Sequence, residues 1–97
     1  MAKDKRYQNV KNLITAGSIR TIMDIFESKA ISKSKVYKDL GLNNARFNEL
    51  IDNVELFKLE DLFHLSLLIE IDAMKVLELA HNQWMAKNSK LKKTRQK

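Results

Sequence analysis

Apolar residues recur every three or four positions along most of the chain, the spacing that places side chains on one face of an α-helix. The set Ile19, Ile22, Met23 and Phe26 shows this spacing clearly. Runs of this kind predict six helices. They cover about Lys5–Ala16, Ile19–Lys29, Lys33–Leu40, Asn44–Asp52, Leu59–Ile69 and a last segment that follows Asp72 and carries Trp84.

Nothing in the pattern predicts β-structure, because the chain lacks both an alternating run rich in Val, Ile and Thr and an Asn-Gly or Asp-Gly turn. The sequence therefore predicts an all-α fold, a compact bundle of about five to six short helices. The near-continuous apolar content of Leu59–Ile69 predicts that this helix is the most buried one.

Glycines and small polar residues mark the predicted helix ends. Gly17 and Gly41 follow the first and third helices, where a left-handed cap favours glycine. Four polar residues stand where a side chain can accept a hydrogen bond from a first-turn amide. These expected N-caps are Ser18, Ser32, Asn43 and Asp72.

The length of 97 residues accommodates one hydrophobic core, so we expect a single domain over residues 1–86. Cysteine is absent, which excludes disulfides and thiolate chemistry and fits a reducing compartment. Apolar runs are at most three residues long, so we expect no membrane span and a cytoplasmic location.

Charge is distributed very unevenly along the chain. Residues 1–46 carry a net +6, residues 47–86 a net −6, and residues 87–97 a net +6. The last block has only one large apolar residue, so we expect a basic, disordered or frayed tail over residues 87–97. It is either a non-specific nucleic-acid clamp or a solvated end without a role.

The most informative segment runs from Val36 to Ile51. Two short predicted helices flank a tight turn with Gly41 followed by Leu42, and the apolar spacing places both helices on one core. This pattern is typical of a helix-turn-helix, although a generic helical hairpin has the same spacing.

The segment resembles the lambda-repressor-like (XRE/Cro-type) helix-turn-helix domains of phage repressors and bacterial regulators. The resemblance covers about Ser18 to Ala80, with an extra helix in front. Four segments carry the resemblance: the turn, the polar start of the helix that follows the turn, the start of the fifth predicted helix, and the junction between the fifth and sixth predicted helices. The matching segments are Leu40-Gly41-Leu42, Asn43-Asn44-Ala45-Arg46, Phe57-Lys58-Leu59-Glu60-Asp61-Leu62 and Ile69-Glu70-Ile71-Asp72.

The family usually has a small residue where this chain has Tyr37, and glycine where it has Glu70. A ring at position 37 must point outward or push the helices apart. The resemblance implies binding of double-stranded DNA, usually as a dimer, in transcription control in a bacterial or phage (nucleoid-associated) setting.

In such a domain the helix Asn44–Asp52 enters the major groove. Asn44 and Asn48 suit the bidentate pair to adenine, and Ala45 suits a thymine methyl group. Arg46 suits guanine or a phosphate. Residues before this helix would meet the phosphate backbone, although an ordinary solvated face is an equal alternative for each lysine. The candidate DNA-contacting residues are Ser32, Lys33, Lys35, Asn43, Asn44, Ala45, Arg46 and Asn48.

Charge leaves one question open on this helix. Glu49 could accept from a cytosine amino group, or it could lie beyond the edge of the groove.

We also expect a homodimer with an interface at Leu77, Trp84 and Met85, because Trp and Met are enriched at interfaces. Packing of Trp84 on its own core is an equal alternative.

Enzymatic chemistry is not indicated. His64 and His81 lack a metal-ligand spacing, and the two glycines are isolated rather than in a phosphate-binding loop, so we expect no metal and no cofactor.

Two other functions stay open. One is a protein-interaction module, antitoxin-like or anti-repressor-like, that binds a basic protein through residues 47–86. The other is a packaging or RNA-associated protein that binds mainly through its tail.

Overall fold

A computed structural model describes residues 4–88, which form six α-helices and one short 3-10 helix around a single core. The all-α class is confirmed, and residues 4–88 contain no strand. The α-helices are α1 (Lys5–Thr15), α2 (Ile22–Glu27), α3 (Lys33–Asp39), α4 (Asn44–Asp52), α5 (Leu59–Ile69) and α6 (Ala73–Lys87). The 3-10 helix Val54–Leu56 joins α4 to α5. No helix in the described part is long and apolar enough to cross a membrane.

Most of the predicted helix ends are confirmed. Gly17 and Gly41 adopt positive φ angles of 84° and 75°. The Asn43 side chain accepts a 2.7 Å hydrogen bond from the amide of Arg46. Ser32 and Asp72 cap α3 and α6 in the same way.

The predicted start of the second helix is wrong. Ser18 belongs to the end of α1, where its amide donates to the carbonyl of Leu13, and residues 19–21 after it are not helical. Thr21 caps α2 instead, in a reciprocal box with Asp24 that satisfies two donors at once. α2 therefore begins at Ile22 and covers little more than half of the predicted range.

An aromatic cluster joins α2, α3 and α4 at the centre of the core. The ring of Phe47 is fully buried and meets Phe26 edge-on, with 5.6 Å between ring centroids. Tyr37 packs on the other side of Phe47 at 5.9 Å. The Tyr37 ring is thus half-buried against the core rather than turned outward, so it adds packing where the family usually has a small side chain.

Polar side chains of α6 connect helices that are distant in the sequence. The Gln83 amide accepts from the N–H of Met23 at 2.8 Å and donates to the carbonyl of Ile51 at 2.7 Å. The first group is a donor in the first turn of α2 and the second is an acceptor in the last turn of α4, the groups that helix ends leave without a partner inside the helix. Both bonds are partly buried. The ammonium of Lys87 donates to the carbonyl of Asp52, where a cation is favourable at a helix C-terminus.

α5 contains four buried residues, more than any other described helix, as its apolar content predicts. This burial is confined to one side of the helix, because Leu59, Phe63 and Leu67 on its outer side are all exposed. After this helix Glu70 adopts a left-handed conformation with φ of 66°, at the junction where the resemblance places glycine. The backbone therefore keeps this turn without the residue that adopts it most easily.

Candidate nucleic-acid interface

The turn between α3 and α4 is fixed by backbone hydrogen bonds and one apolar side chain. The amide of Leu42 donates to the carbonyl of Tyr37 at 2.8 Å, across the left-handed Gly41. Leu42 is half-buried and packs on the core between the two helices. The next residue, Asn43, begins α4, so the start of this helix is held firmly relative to α3.

α4 has two faces of opposite character. Phe47, Leu50 and Ile51 are at most 1% exposed and anchor the helix in the core. The outer face presents Asn44 and Ala45 to solvent, with the other polar residues of the helix on either side. No acidic residue lies in the first turn of α4. Within the described residues the amides of Asn44 and Ala45 have no acceptor, so the positive end of the helix is open to an anion.

A row of hydrogen bonds links α3 to this outer face. The ammonium of Lys33 donates to Oδ1 of Asn48 at 3.4 Å, and Nδ2 of Asn48 donates to Oδ1 of Asn44 at 3.0 Å. The structure therefore brings three of the predicted residues together, and the two amide groups stand one helical turn apart on the same face.

Arg46 lies on the opposite flank of the exposed face. Its guanidinium pairs with the carboxylate of Glu49 at 2.8 Å, and both side chains are largely exposed. Exposed pairs of this kind contribute little to stability, so Arg46 can exchange Glu49 for another acceptor at low cost. Glu49 is thus on the surface of α4 next to the predicted DNA-contacting residues.

Lys35 is placed differently from the other predicted residues. Its ammonium bridges the carboxylates of Asp39 at 3.0 Å and Asp4 at 3.3 Å, and it stands 5.9 Å from the centre of the Tyr7 ring. The hydroxyl of Tyr7 donates to Asp39 at 2.8 Å. The positive charge of Lys35 is therefore already neutralised by the protein, and this network ties α1 to α3.

The network changes the ionisation of its members. Hydrogen bonding to Asp39 raises the pKa of Lys35. Burial and the bond to Asp39 raise the pKa of Tyr7 above its usual range. Burial alone would raise the pKa of Asp39, but hydrogen bonds from Tyr7 and Lys35 outweigh it and lower the pKa. The hydrogen bonds from Arg6 lower the pKa of Asp4 in the same way. The sequence pattern does not predict this network as a whole, although Lys35 and Asp39 have the spacing of a helical ion pair.

The two predicted caps in the interface perform their structural role. The hydroxyl of Ser32 accepts from the amide of Lys35 at 3.2 Å, and Asn43 accepts from Arg46. Both side chains are exposed, so each stands at the surface while it holds its helix.

Two of the three residues expected at a dimer interface, Leu77 and Trp84, line an open groove. This groove has a volume of about 460 Å³. Leu77 is partly buried against the core of its own chain, and Met85 is half-buried. Trp84 is partly exposed and stacks on His81 with 6.5 Å between ring centroids. The groove is lined by Val54, Glu55, Phe57, Leu62, Leu77, Ala80, His81 and Trp84.

Within residues 4–88 no group of three or more His, Asp or Glu side chains could hold a metal ion. The predicted tail lies outside the described residues, apart from Lys87 and Asn88. Lys87 is the last residue of α6, and its ammonium donates to Oδ1 of Asn53 at 2.6 Å.

No protein-family model, curated protein or solved structure matches the chain at a significant level. The function proposed below is therefore based on the positions and contacts of residues in the molecule.

Proposed function

We propose that the protein is a sequence-specific DNA-binding transcriptional regulator that places α4 in the major groove and acts as a homodimer. The exposed start of α4 is the observation that carries the proposal. Its outer face presents Asn44, Ala45, Arg46 and Asn48, while its inner face is fixed in the core. A rigid helix with an amide-rich outer face suits the reading of base edges.

The hydrogen-bond row supports a specific role for the two asparagines. Because Asn48 bonds to Asn44 and to Lys33, its amide is already oriented toward the face that would meet the bases. An asparagine amide offers one donor and one acceptor, the pair that adenine presents in the major groove. On binding, Lys33 can leave Asn48 and contact a phosphate.

The test is selection of bound sequences from random duplex DNA at near-physiological salt, followed by affinity measurements on variants. We expect a defined sequence motif, and we expect Asn44→Ala and Asn48→Ala to reduce discrimination by about 1–3 kcal/mol at the affected base pair. Arg46→Ala should weaken binding and reduce its salt dependence.

Lys75→Ala is a matched control for Arg46→Ala. Lys75 pairs with Glu78 with the same spacing that Arg46 has to Glu49, but it lies on α6. Both substitutions remove one positive charge and one exposed ion pair, so the comparison isolates position. Equal effects of the two substitutions, together with no selected motif, would contradict the proposal.

A second candidate function is a protein-interaction module, antitoxin-like or anti-repressor-like. Exposed apolar residues on α5 favour it, because they are unusual on a protein that binds only DNA. It predicts a stable complex with a protein partner and no preferred DNA sequence.

Removal of the basic tail distinguishes specific recognition from non-specific binding. Deletion of residues 89–97 retains Lys87 and its bond to Asn53. If α4 reads the sequence, the truncated protein keeps its motif and loses affinity. If the protein binds nucleic acid mainly through its tail, as a packaging or RNA-associated protein does, binding is lost altogether.

A further inference from the structure

The outer side of α5 carries a continuous apolar stripe. Leu59, Phe63 and Leu67 follow one another at intervals of four residues and are 59%, 44% and 73% exposed. They lie on one side of the helix over about 12 Å. Monomeric proteins rarely expose large apolar side chains in a row, so such a stripe indicates an interaction surface.

A different set of residues attaches α5 to the rest of the fold. Leu62, Leu65, Ser66 and Ile69 are buried and attach the helix to α1 and α6. The stripe is therefore additional apolar surface. It also shares no residue with α4, which packs mainly against α2, α3 and the 3-10 helix.

Charged residues at the two ends of the stripe have opposite signs. Lys58 precedes it and Glu70 follows it, and both are exposed. Glu60 and His64 lie along one edge, also exposed. A copy of this helix that runs in the opposite direction would place Lys58 near Glu70 and Glu60 near His64. A parallel copy would place like residues together, and like charges repel.

All of these pairs have nearly the same centre. Leu59 and Leu67 are equally far from Phe63, and the two polar pairs are centred within one residue of it. A two-fold interface requires this kind of self-complementary surface, in which each residue meets its counterpart across the axis. The occupant that fits the stripe is therefore a second copy of the chain.

We propose that the protein forms a two-fold dimer in which α5 packs antiparallel on α5 of a second copy, with the two Phe63 side chains next to the axis. This interface differs from the groove that contains Trp84. It stands independently of DNA binding, since none of its residues belongs to the face of α4. The stripe is small, so we expect a weak and reversible dimer.

The first test is sedimentation equilibrium of the full chain without DNA, from about 5 µM to about 1 mM. We expect a monomer–dimer equilibrium in the wild-type protein and only monomer for Leu67→Glu. Because Leu67 is exposed, this variant retains its helical circular dichroism and its urea midpoint. Trp84→Ala is the matched control and leaves the equilibrium unchanged.

Three results would overturn the proposal. They are a wild-type protein that is monomeric over the whole range, a dimer that survives Leu67→Glu, and a dimer that is lost on Trp84→Ala but not on Leu67→Glu. The last result would assign the interface to the groove. Binding of DNA is not involved in any of these measurements, so their outcome is distinct from that of the selection experiment.

Direction is tested by cross-linking, because the chain has no cysteine and single thiols can be introduced. Leu59→Cys and Leu67→Cys are oxidised separately and then as a mixture. An antiparallel pair gives a disulfide-linked dimer only in the mixture, since the two Cβ atoms must approach within about 4.5 Å. A dimer that forms from either variant alone would contradict the antiparallel arrangement.

Discussion

α4 and α5 are consecutive α-helices with similar inner faces and opposite outer faces. Each buries a stripe of large residues, Phe47, Leu50 and Ile51 in α4 and chiefly Leu62 and Leu65 in α5. The outer face of α4 is polar and hydrogen-bonded, whereas that of α5 is apolar. Because the inner stripe already attaches each helix to the core, the outer face of each helix is available for a partner outside the protein.

The two helices are also held by different means. α4 is capped by Asn43 at its start and bonded by Gln83 and Lys87 near its end. α5 has no side-chain cap and depends on apolar packing. A helix held at both ends by directional bonds keeps its outer side chains in fixed positions, which recognition of base edges requires. An apolar stripe tolerates more variation in position.

The largest expected effect is a difference in unfolding free energy between substitutions on the two sides of α5. Leu65→Ala removes a side chain that is 2% exposed, so the free energy of unfolding should fall by about 2–5 kcal/mol. Leu67→Ala removes a side chain on the outer stripe and should change the free energy of unfolding by less than about 0.5 kcal/mol. Urea denaturation of dilute protein measures both values. Comparable losses at the two positions would mean that the stripe is part of the fold.

The next largest effect tests the polar attachment of α4. Gln83→Leu leaves the amide of Met23 and the carbonyl of Ile51 without their partner, at a cost of about 1–3 kcal/mol of unfolding free energy. Asn82→Ala is the control, because Asn82 makes one exposed bond, to the carbonyl of Arg20. We expect the control to cost about 1 kcal/mol or less. Equal urea midpoints for the two variants would show that Gln83 has no special role.

Local sequence signals were sufficient for much of the fold. The caps Asn43 and Asp72 and the glycine turns follow from residue type and position, so the ends of α1, α3 and α4 were predicted within one residue. The start of α2 was not, because Ser18 and Thr21 are both good caps and residue type does not decide between them. The exposed side of α5 was not predicted either, because a helix with apolar residues on several sides shows no preferred face in its sequence.

The candidate site was predictable to a different degree at each residue. Asn44 and Arg46 are exposed and Asn48 is half-buried beside them, as helical periodicity predicts from the buried positions of α4. The partners of Lys35 were not predictable, since Asp4 and Tyr7 reach it from another helix. Contacts between distant segments depend on packing that periodicity does not describe.

That network gives the protein a predictable dependence on pH. Asp4 and Asp39 have lowered pKa values in the folded state, so their contribution to stability is present above about pH 4 and is lost as the pH falls. Tyr7 has a raised pKa, so its contribution is present below about pH 10 and is lost as the pH rises. Melting temperature against pH should therefore fall at both extremes.

Asp39→Asn should flatten the acid side of this profile, since one of the two carboxylates no longer titrates. Asp52→Asn is the control, because its side chain makes no ion pair within the described residues and its carbonyl still accepts from Lys87. An unchanged acid side in Asp39→Asn would exclude the network as the cause of acid unfolding. None of the residues in this network belongs to α4, so the pH dependence measures stability separately from DNA recognition.

The smallest expected effect compares two lysines on α3. Lys33 bonds to Asn48 on the outer face of α4, whereas Lys35 is held by Asp4 and Asp39. Lys33→Ala should weaken DNA binding several-fold and reduce the salt slope by about one unit, with an unchanged melting temperature. Lys35→Ala should lower the melting temperature and leave the DNA affinity and the salt slope unchanged, because the charge of Lys35 is already paired with Asp4 and Asp39. Titration of each variant with the selected duplex at several salt concentrations, beside a thermal melt, gives both quantities. If Lys35→Ala lowered the DNA affinity as much as Lys33→Ala, Lys35 would also contact DNA. The interface would then extend along α3 and would not be limited to α4 and Lys33.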